Sequence, residues 1–408
     1  MVFAKTLTCD AGARAIIERL RRAGHRAYLV GGCVRDQLMG RTPADWDVAT
    51  DATPERIEAL FERVVPVGKA FGVMIVVRPE GDYEVATFRG DGDYHDGRRP
   101  TTVTFTGPEE DVQRRDFTIN ALLYDPVAGE VLDYVGGVAD IAAGLIRTVG
   151  EASLRFREDR LRLLRAVRFA ARTGFRLEPS TAAAVRALAP LAATVSAERT
   201  GDELTRMLGE GAARRSFEML EACGLLGVVL PEVAAMRGVP QPPEFHPEGD
   251  VWEHTLAMLE LWDRRVQSWR QADADADEPG KPDAVDAGAD EPGSPASAPP
   301  EAAGLTGSPE ERAILGWAVL LHDVGKPGTL TDTDRIRFHG HDDLGASLAQ
   351  EVLNRLRRPK RLVQAVQAVV AGHMRFIHIK GMREAKRRRF VQSPLFPLEL
   401  ELHRLDCV

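Results

Sequence analysis

The spacing of apolar residues changes once along this chain, and that change limits the folds available to it. Up to about residue 145, helical and strand-like runs alternate: Ala11–Arg22 has helical periodicity and Ala27–Val30 is a short apolar run. From Ser153 onward, nearly every apolar run repeats with the period of a helix. The sequence therefore predicts the α+β fold class, with a small mixed sheet and helices first, followed by parts that are all helical.

Turn and capping residues delimit the elements of the first part. Gly31-Gly32 ends the first strand, and Thr53 is placed to cap a helix that has Pro54 at its first position. The remaining predicted elements are the helix Val34–Met39, the strand Asp45–Ala49, the helix Pro54–Glu62, and the strands Val73–Val77 and Glu84–Phe88.

A segment of low complexity interrupts the helical part. From Gln271 to about Glu311 it consists mainly of Ala, Asp, Pro, Gly and Ser, with 11 acidic residues and one lysine. This composition cannot bury enough apolar surface to offset its conformational entropy, so we expect the segment to be disordered. The predicted domains are residues 1–145, 146–235 and 236–408, the last interrupted by the acidic linker 271–311.

The acidic linker accounts for the net charge of −8, because the rest of the chain carries a net charge of +2. Its basic residues cluster, with eight arginines from Arg155 to Arg176 and further groups at Arg355–Arg361 and Lys380–Arg389. Such clusters can neutralise phosphates, although a solvated helix face explains them equally well at this point.

Other features indicate where the chain acts. No stretch approaches the ~20 apolar residues that a membrane helix needs, and the N-terminus has no apolar run typical of a signal peptide. Four scattered cysteines without CxxC spacing suit a reducing compartment. We therefore expect a cytoplasmic protein without a membrane partner; the sequence does not indicate an oligomeric state.

Asp45 and Asp47 are the first candidates for a metal site. On a strand they would share one face, where two carboxylates repel each other unless a cation lies between them. Mg²⁺ prefers such hard oxygen ligands completed by substrate phosphates, and two ions can activate a hydroxyl and stabilise leaving pyrophosphate. Gly31-Gly32 would let the backbone approach a triphosphate, and Arg35 could reach its phosphates. Singly, each feature is more often an ordinary turn or solvated strand face; together they predict nucleotidyl transfer.

The segment that contains Gly31-Gly32, Asp45 and Asp47 resembles a motif of a known family. Residues 29–50, LVGGCVRDQLMGRTPADWDVAT, resemble the signature of the class II tRNA nucleotidyltransferase and poly(A) polymerase family, whose head is polymerase-β-like. The resemblance extends over roughly residues 14–230 and continues through GDYHDGRRP (92–100), RRDFTINALLYD (114–125), VGEASLRFREDRLRLLRAVRFAARTGF (149–175) and SAERTGDELTRML (196–208).

The resemblance implies a function and a set of partners. It implies template-independent addition of C and A to the 3′ end of tRNA, with CTP and ATP as substrates and Mg²⁺ in the head. An A-adding enzyme or a poly(A) polymerase shares these motifs and stays open as an alternative. By similarity, Asp45 and Asp47 are the metal-binding carboxylates, and Glu84 or Asp116 is the third. The implied nucleotide contacts are Gly32, Arg35, Arg115, Asp159, Arg162, Arg165 and Arg168.

Base selection would fall to Asp159 and Arg162, which a continuous helix would place one turn apart. A carboxylate accepts from an exocyclic amine and a guanidinium donates to a ring nitrogen or carbonyl, so the pair would accept C and A while rejecting U and G. In the family, a mobile loop reshapes the pocket between C and A. Gly90–Pro100 corresponds to it, and its matching residues are Asp96, Arg98 and Arg99.

A second constellation lies near the C-terminus. A lone histidine is usually structural, but here several follow one another in the order H…HD…D of the HD phosphohydrolase superfamily, which they resemble in its two-metal form. That resemblance implies Ni²⁺, Co²⁺ or Mn²⁺ and a phosphatase or cyclic phosphodiesterase activity. A degenerate domain that only binds RNA stays open, as does a hydrolase whose N-terminal half merely binds nucleotide or RNA. The implied ligands are His254, His322, Asp323, His341, His373 and Asp406.

Overall fold

The chain forms two compact units, Met1–Thr194 and Val195–Val408. The predicted division into 1–145, 146–235 and 236–408 stays a prediction. Most of the acidic linker lies outside the described residues, as do Asp96, Arg98 and Arg99. The computed structural model describes residues 2–4, 6–92, 97, 101–276 and 304–407.

An eight-stranded mixed sheet forms the centre of the first unit. The strands of this unit are β1 (Val2–Ala4), β2 (Ala27–Val30), β3 (Val48–Thr50), β4 (Val64–Gly68), β5 (Val73–Arg78), β6 (Gly81–Thr87), β7 (Arg89–Asp91), β8 (Val103–Phe105), β9 (Leu123–Asp125), β10 (Glu130–Leu132), β11 (Leu145–Ile146) and β12 (Arg176–Leu177). The large sheet has the order β1-β10-β9-β2-β3-β6-β5-β4, while β7 pairs with β8 and β11 with β12. Within the large sheet β3 and β6 run parallel, and the other described pairs are antiparallel.

Helices cover this sheet and continue beyond it. They are α1 (Ala11–Arg22), α2 (Gly32–Leu38), α3 (Pro54–Leu60), α4 (Pro108–Gln113), α5 (Gly137–Ala143), α6 (Ala152–Glu158), α7 (Arg162–Thr173) and α8 (Pro179–Leu188), with 3-10 turns at Lys69–Phe71, Thr118–Asn120 and Ala189–Thr194. Ile16 and Leu20 of α1 lie in one buried cluster with Leu29, Val48 and Val85 of the sheet. The helical periodicity of α1 thus reflects its packing on the sheet.

The elements that the sequence predicted are found in the first unit, with some bounds shifted. Helix α1 and strand β2 have the predicted bounds, and Thr53 accepts a hydrogen bond from Arg56 N at 3.4 Å at the start of α3. The predicted start of β3 at Asp45 was wrong. Val30 N donates to Asp47 O at 3.0 Å, but the buried strand begins only at Val48.

The second unit is almost entirely helical, as predicted. Its helices are α9 (Ala197–Gly209), α10 (Ala213–Ala222), α11 (Leu226–Val229), α12 (Pro231–Ala234), α13 (Val251–Ala276), α14 (Pro309–Leu321), α15 (Lys326–Thr329), α16 (His341–Arg355), α17 (Lys360–Gly372), α18 (Glu384–Val391) and α19 (Phe396–Asp406). A hairpin of β13 (Leu330–Asp332) and β14 (Ile336–Phe338) precedes α16, and a 3-10 segment spans His373–Gly381. Among the described residues, no helix combines the length and apolar content needed to cross a bilayer.

Helix α14 is the central helix of this unit. All eight residues from Ile314 to Leu321 are buried, and the helix contacts α9, α13, α17 and α19. A helix enclosed on every side is apolar all round, which explains the unbroken run of apolar residues. His322 and Asp323 follow directly after its last residue, so the packing of α14 fixes their positions.

Gly325 provides a test of this packing. A Cβ at Gly325 would lie 2.2 Å from His341 O and 2.6 Å from Gly345 N, and backbone atoms cannot rotate away as a side chain can. We expect Gly325→Ala to lower the free energy of unfolding of the second unit by roughly 1–3 kcal/mol. Urea denaturation followed by tryptophan fluorescence measures this, because four of the five tryptophans lie in that unit.

Gly227→Ala is the matched control, since a Cβ there meets nothing within 4 Å. It should change the free energy of unfolding by less than about 1 kcal/mol. Equal effects of the two substitutions would contradict the close approach at Gly325.

Candidate functional site

Three carboxylates lie near one end of the paired strands β3 and β6. Val48 pairs with Val85 in this parallel ladder, so the preceding residues, Asp47 and Glu84, lie side by side. Burial raises the pKa of Asp47 to about 7, and the nearby carboxylates of Glu84 and Asp45 add to the effect. Burial also raises the pKa of Glu84, with a further contribution from Asp45. The raised pKa values reflect burial first and neighbouring carboxylates second, and a divalent cation would favour the charged form of both acids.

The glycine turn lies beside these carboxylates. Gly31 has a φ of 76°, a conformation that favours glycine. A Cβ on Gly32 would lie 3.8 Å from Asp45 Oδ1, and a Cβ on Gly31 would lie 3.6 Å from Arg115 Nη1. The turn therefore presents bare backbone between a carboxylate and a guanidinium, which is the arrangement that the sequence predicted for binding a triphosphate.

Two of the predicted phosphate contacts already have protein partners. Arg35 is buried and donates to Asp36 Oδ1 at 2.8 Å and to Asn120 Oδ1 at 2.6 Å. Arg115 donates to Asp111 Oδ2 from Nε at 3.1 Å and from Nη2 at 2.9 Å. These ion pairs hold both guanidinium groups near the glycine turn; their contact with nucleotide stays a prediction.

Asp116 and Glu84 were the two candidates for the third carboxylate. Asp116 Oδ2 accepts two hydrogen bonds from Arg165, at 2.9 and 2.6 Å, while Oδ1 accepts from Phe117 N at 2.8 Å and from Asn120 at 3.2 Å. Burial raises the pKa of Asp116, but Arg165 outweighs it and the pKa falls to about 2. Both oxygens of Asp116 are thus used within the protein, and the geometry favours Glu84.

The two predicted base-selecting residues are not on one helix. Helix α6 ends at Glu158 and α7 begins at Arg162, while Asp159 between them is extended, with φ −137° and ψ 103°. The predicted one-turn spacing was therefore wrong. Asp159 Oδ1 instead accepts from Leu161 N at 3.2 Å, a local bond that competes with helix continuation. Arg162 is buried and donates to Glu158 at 2.8 Å and to Arg114 O at 2.8 Å.

Phe169 is surrounded by three of the predicted arginines. The guanidinium carbons of Arg35, Arg165 and Arg168 lie 5.3, 5.1 and 4.4 Å from its ring centroid. Arg165 and Arg168 are one turn apart on α7, as predicted, and the opposite side of this helix is buried. Cations over one aromatic ring are favourable, so Phe169 helps to gather this positive charge beside Asp116.

The six predicted ligands of the second unit do converge. In each of two groups, the ligand atoms all lie within 4.8 Å of one another: His254, His322 and Asp406, and Asp323, His341 and His373. Asp323 lies between the groups, with Oδ2 3.1 Å from His322 Nε2 and Oδ1 3.5 Å from His341 Nε2. The two groups would each suit a divalent cation, with Asp323 close to both.

Three histidines are oriented by backbone carbonyls. The Nδ1 atoms of His322, His341 and His373 lie 2.9, 2.8 and 2.6 Å from the carbonyl oxygen three residues earlier. This contact assigns the proton to Nδ1 and leaves Nε2 facing the cluster as a ligand. Burial lowers the pKa of His373 to about 4, which keeps the ring neutral.

The interior of the cluster fits a metal. His322 Nε2 is buried and has no hydrogen bond of acceptable geometry within the described part of the chain. A buried ring nitrogen is rarely left in this state, and a bound cation would satisfy it. Imidazole nitrogens together with carboxylates suit first-row transition metals.

Sequence reasoning missed three residues beside this cluster. Glu248 Oε1 lies 2.6 Å from His254 Nδ1 and 3.0 Å from His246 Nδ1. Lys326 Nζ lies 2.6 Å from Asp323 Oδ2. Lys326 follows Asp323 by one helical turn, a spacing that could have identified it. Glu248 and His246 lie in an irregular loop, where no periodicity indicates which way a side chain points.

Comparison with protein-family models gives three matches along the chain. A model of the poly A polymerase head domain matches residues 27–147, and one described as a probable RNA and SrmB-binding site of polymerase A matches residues 174–237. An HD domain model matches residues 289–406, which includes the predicted ligands from His322 to Asp406 but not His254.

Individual relatives are similar over different lengths. The CCA-adding enzyme of Geobacillus stearothermophilus is 48% identical over 214 residues, 52% of this chain and 53% of that protein; the chain spans about half the length of such curated relatives. The multifunctional CCA protein of Nitrosococcus oceani is 36% identical over 355 residues, 86% of this chain and 75% of that protein. A crystal structure of the Bacillus stearothermophilus CCA-adding enzyme with CTP has a TM-score of 0.62 and 30% identity, covering 96% of this chain and 81% of that one.

The contact between Glu248 and His254 predicts a contribution to metal affinity. Glu248→Gln removes the charge that orients His254, and loss of such a partner weakens metal binding by roughly 10- to 100-fold. Titration of the whole protein with Co²⁺, followed by the visible absorption of the bound ion, measures this. Glu253→Gln, an exposed position on the same stretch of α13, is the control and should bind Co²⁺ like the wild type. Equal affinities of all three proteins would contradict a role for Glu248.

The Asp116–Arg165 pair predicts a pH dependence of stability. Because the folded-state pKa of Asp116 lies near 2, below its ordinary 3.8, the carboxylate stabilises the fold above about pH 4 and loses that contribution as the pH falls. Asp116→Asn should lower the free energy of unfolding by about 2 kcal/mol at pH 6. Between pH 6 and pH 3 the difference from the wild type should shrink by about 1 kcal/mol. Urea denaturation of both proteins at pH 6 and pH 3 measures this difference in the free energy of unfolding. A difference that is the same at both pH values would contradict a folded-state pKa near 2 for Asp116.

Proposed function

The chain belongs to the CCA-adding enzyme family, and from this premise we propose that it adds C and A nucleotides to the 3′ end of tRNA. CTP and ATP are the substrates and Mg²⁺ is the metal of the first unit. The observation that carries the proposal is the parallel pairing of β3 and β6, which sets Asp47 beside Glu84, with Asp45 next to Gly32. The cytoplasm is the expected location, since tRNA is the partner.

The residues of the first unit divide the work of nucleotidyl transfer. Asp45, Asp47 and Glu84 would hold Mg²⁺, which when bound supplies positive charge for the attacking hydroxyl and the leaving pyrophosphate. The bare backbone of Gly32 admits the triphosphate without steric conflict. Arg115 lies close enough to lower the pKa of Asp47 and Glu84, and it places positive charge where phosphate oxygens would lie.

For base selection, Asp159 and Arg162 would exchange their present hydrogen-bond partners for the edge of the base. Asp159 now bonds to Leu161 N, and Arg162 bonds to Glu158 and Arg114 O. Both side chains carry the groups that read C and A, and the extended backbone at Asp159 separates α6 from α7. A small rotation of the chain at this break would free the two side chains for the base edge.

A second activity is supported by the metal cluster of the second unit. We propose that it hydrolyses phosphate esters with Ni²⁺, Co²⁺ or Mn²⁺. The proposal is supported by the convergence of the six side chains and by the buried His322 Nε2, which has no hydrogen bond among the described residues. A 2′,3′-cyclic phosphate on an RNA end is a fitting substrate, because it blocks the hydroxyl that nucleotidyl transfer uses. Water opens one P–O bond of the diester, and hydrolysis of the resulting monoester releases phosphate and restores both hydroxyls.

Two reciprocal variants test both activities. Asp45→Ala should reduce incorporation of C and A into tRNA lacking CCA by at least about 1000-fold, since metal-ligand loss removes most of the charge stabilisation. It should leave hydrolysis of p-nitrophenyl phosphate and 2′,3′-cAMP unchanged. His322→Ala should do the opposite. Asp82→Ala, an exposed position on β6, is the control for the first unit and should retain both activities.

The choice of RNA separates the related functions. The proposal expects C and A on tRNA lacking CCA, A alone on tRNA ending in CC, and little on an unstructured RNA. A alone on the first RNA would indicate an A-adding enzyme, and long A tails on the unstructured RNA would indicate a poly(A) polymerase. Absence of hydrolysis with all three metals would leave the second unit a binding role only.

A further inference from the structure

A basic surface lies on the second unit, which we define as residues 375–389. It contains seven lysines and arginines and one acidic residue, Glu384. Every one of these seven cationic side chains is exposed: Arg375, Lys380, Arg383, Lys386, Arg387, Arg388 and Arg389. Like charges packed this densely repel one another, so the surface is suited to a polyanion.

The charge of the basic surface is largely uncompensated. Arg388 pairs with Glu384 and Arg375 with Glu399. Among the described residues, by contrast, Lys386, Arg387 and Arg389 form no ion pair. A solvated helix face usually alternates its charges so that neighbours pair, and this one does not.

The neighbouring basic cluster from Arg355 to Arg361 behaves differently. Each of its arginines has an acidic partner within 2.5 to 2.9 Å: Arg355 with Glu232, Arg357 with Glu198, Arg358 with Asp202 and Arg361 with Glu310. These pairs connect the region of α16 and α17 to α12, α9 and α14. The basic surface thus holds most of the C-terminal positive charge that the fold leaves unpaired.

The basic surface is joined to the metal cluster at both ends. The 3-10 segment His373–Gly381 forms the first part of the basic surface, and it begins at His373, one of the candidate ligands. Beyond it, Phe390 packs at 5.1 Å from Phe376 and 5.3 Å from Phe396, measured between ring centroids. Phe396 begins α19, and that helix ends at Asp406, another clustered ligand. The position of the surface relative to the cluster is therefore fixed.

We propose that the basic surface binds the phosphate backbone of an RNA strand whose 3′ end lies at the metal cluster. The substrate of the second unit is then the end of an RNA chain, and a free nucleotide is only a poor substitute for it. Guanidinium and ammonium groups recognise phosphates without regard to sequence, as a repair step on many tRNAs requires. This inference rests on the proposed hydrolase function.

The test reverses three charges of the surface, with Lys386→Glu, Arg387→Glu and Arg389→Glu combined. The control combines Arg14→Glu, Arg19→Glu and Arg22→Glu on the exposed side of α1, which changes the net charge equally. The Ni²⁺-loaded proteins are given a short RNA ending in a 2′,3′-cyclic phosphate and, separately, 2′,3′-cAMP. The seven exposed side chains lie outside the core, and circular dichroism verifies that both variants are folded.

We expect the surface variant to raise KM for the RNA by at least about tenfold with kcat unchanged, while kcat/KM for 2′,3′-cAMP stays within about twofold of wild type. The slope of log KM against log salt should fall by about 2, since each lost phosphate contact on single strands removes about 0.7. The control should match the wild type in all three measurements. A purely structural role would change both substrates alike, and that result would overturn the proposal.

Two further readouts separate this inference from the proposed functions. Binding of a fluorescent single-stranded RNA to the whole protein needs no hydrolysis, so it tests the surface even if the wild type cleaves neither substrate. Unchanged binding in the surface variant would overturn the proposal. A loss in CCA addition with normal cleavage of the RNA would also overturn it, because the surface would then serve the other activity.

Discussion

Carboxylate repulsion on two parallel strands is the constraint on which the first unit depends. Pairing Val48 with Val85 brings Asp47 and Glu84 side by side whether or not that contact is favourable, and the sheet stabilises the pairing through its buried side chains. Burial raises the pKa of both acids, and nearby carboxylates add to the effect. Asp111, Asp116 and Asp36, by contrast, are each paired with arginine. The fold thus neutralises the acids that support the site and leaves unneutralised those that would hold a cation.

The second unit differs from the first, because its candidate ligands are held in place by the surrounding fold. Five of its six candidate ligands are buried and Asp406 is partly exposed. Their geometry depends on α14, an apolar helix whose end presents His322 and Asp323. Backbone carbonyls fix three of the imidazoles, so little side-chain freedom remains to be lost when a metal binds. Glu248 orients the imidazole of His254, as backbone carbonyls orient the other three imidazoles. This arrangement leaves the buried His322 Nε2 without a hydrogen bond among the described residues, and a bound cation would satisfy it.

Periodicity and motif order predicted much of this structure, and the reasons for the exceptions are physical. The bounds of α1 and β2 followed from apolar spacing and turn residues. The six side chains that the resemblance to the HD superfamily implied as ligands lie close together, and their binding of a metal stays a prediction. The break at Asp159 was missed, because the helical runs on its two sides, α6 and α7, were taken as one continuous helix. The hydrogen bonds from Arg35 to Asn120 and from Arg162 to Arg114 O could not be predicted either, since contacts between residues distant in the chain leave no trace in local spacing. The start of β3 was misplaced because polar and apolar residues alternate from Asp45 onward, whereas the buried strand begins only at Val48.

The connection between α13 and α14 can vary in length without moving the candidate ligands that these helices position. His254 lies on α13 and His322 follows α14, and these two helices pack against each other although residues 277–308 separate them in the chain. The entropy of closing a loop grows only with the logarithm of its length, at about 0.6 kcal/mol for each doubling. Insertions or deletions at this point would therefore change stability little, provided that α13 and α14 stay in contact. The spacing between the first two ligands is consequently a poor diagnostic of the site, and ligand order is the better one.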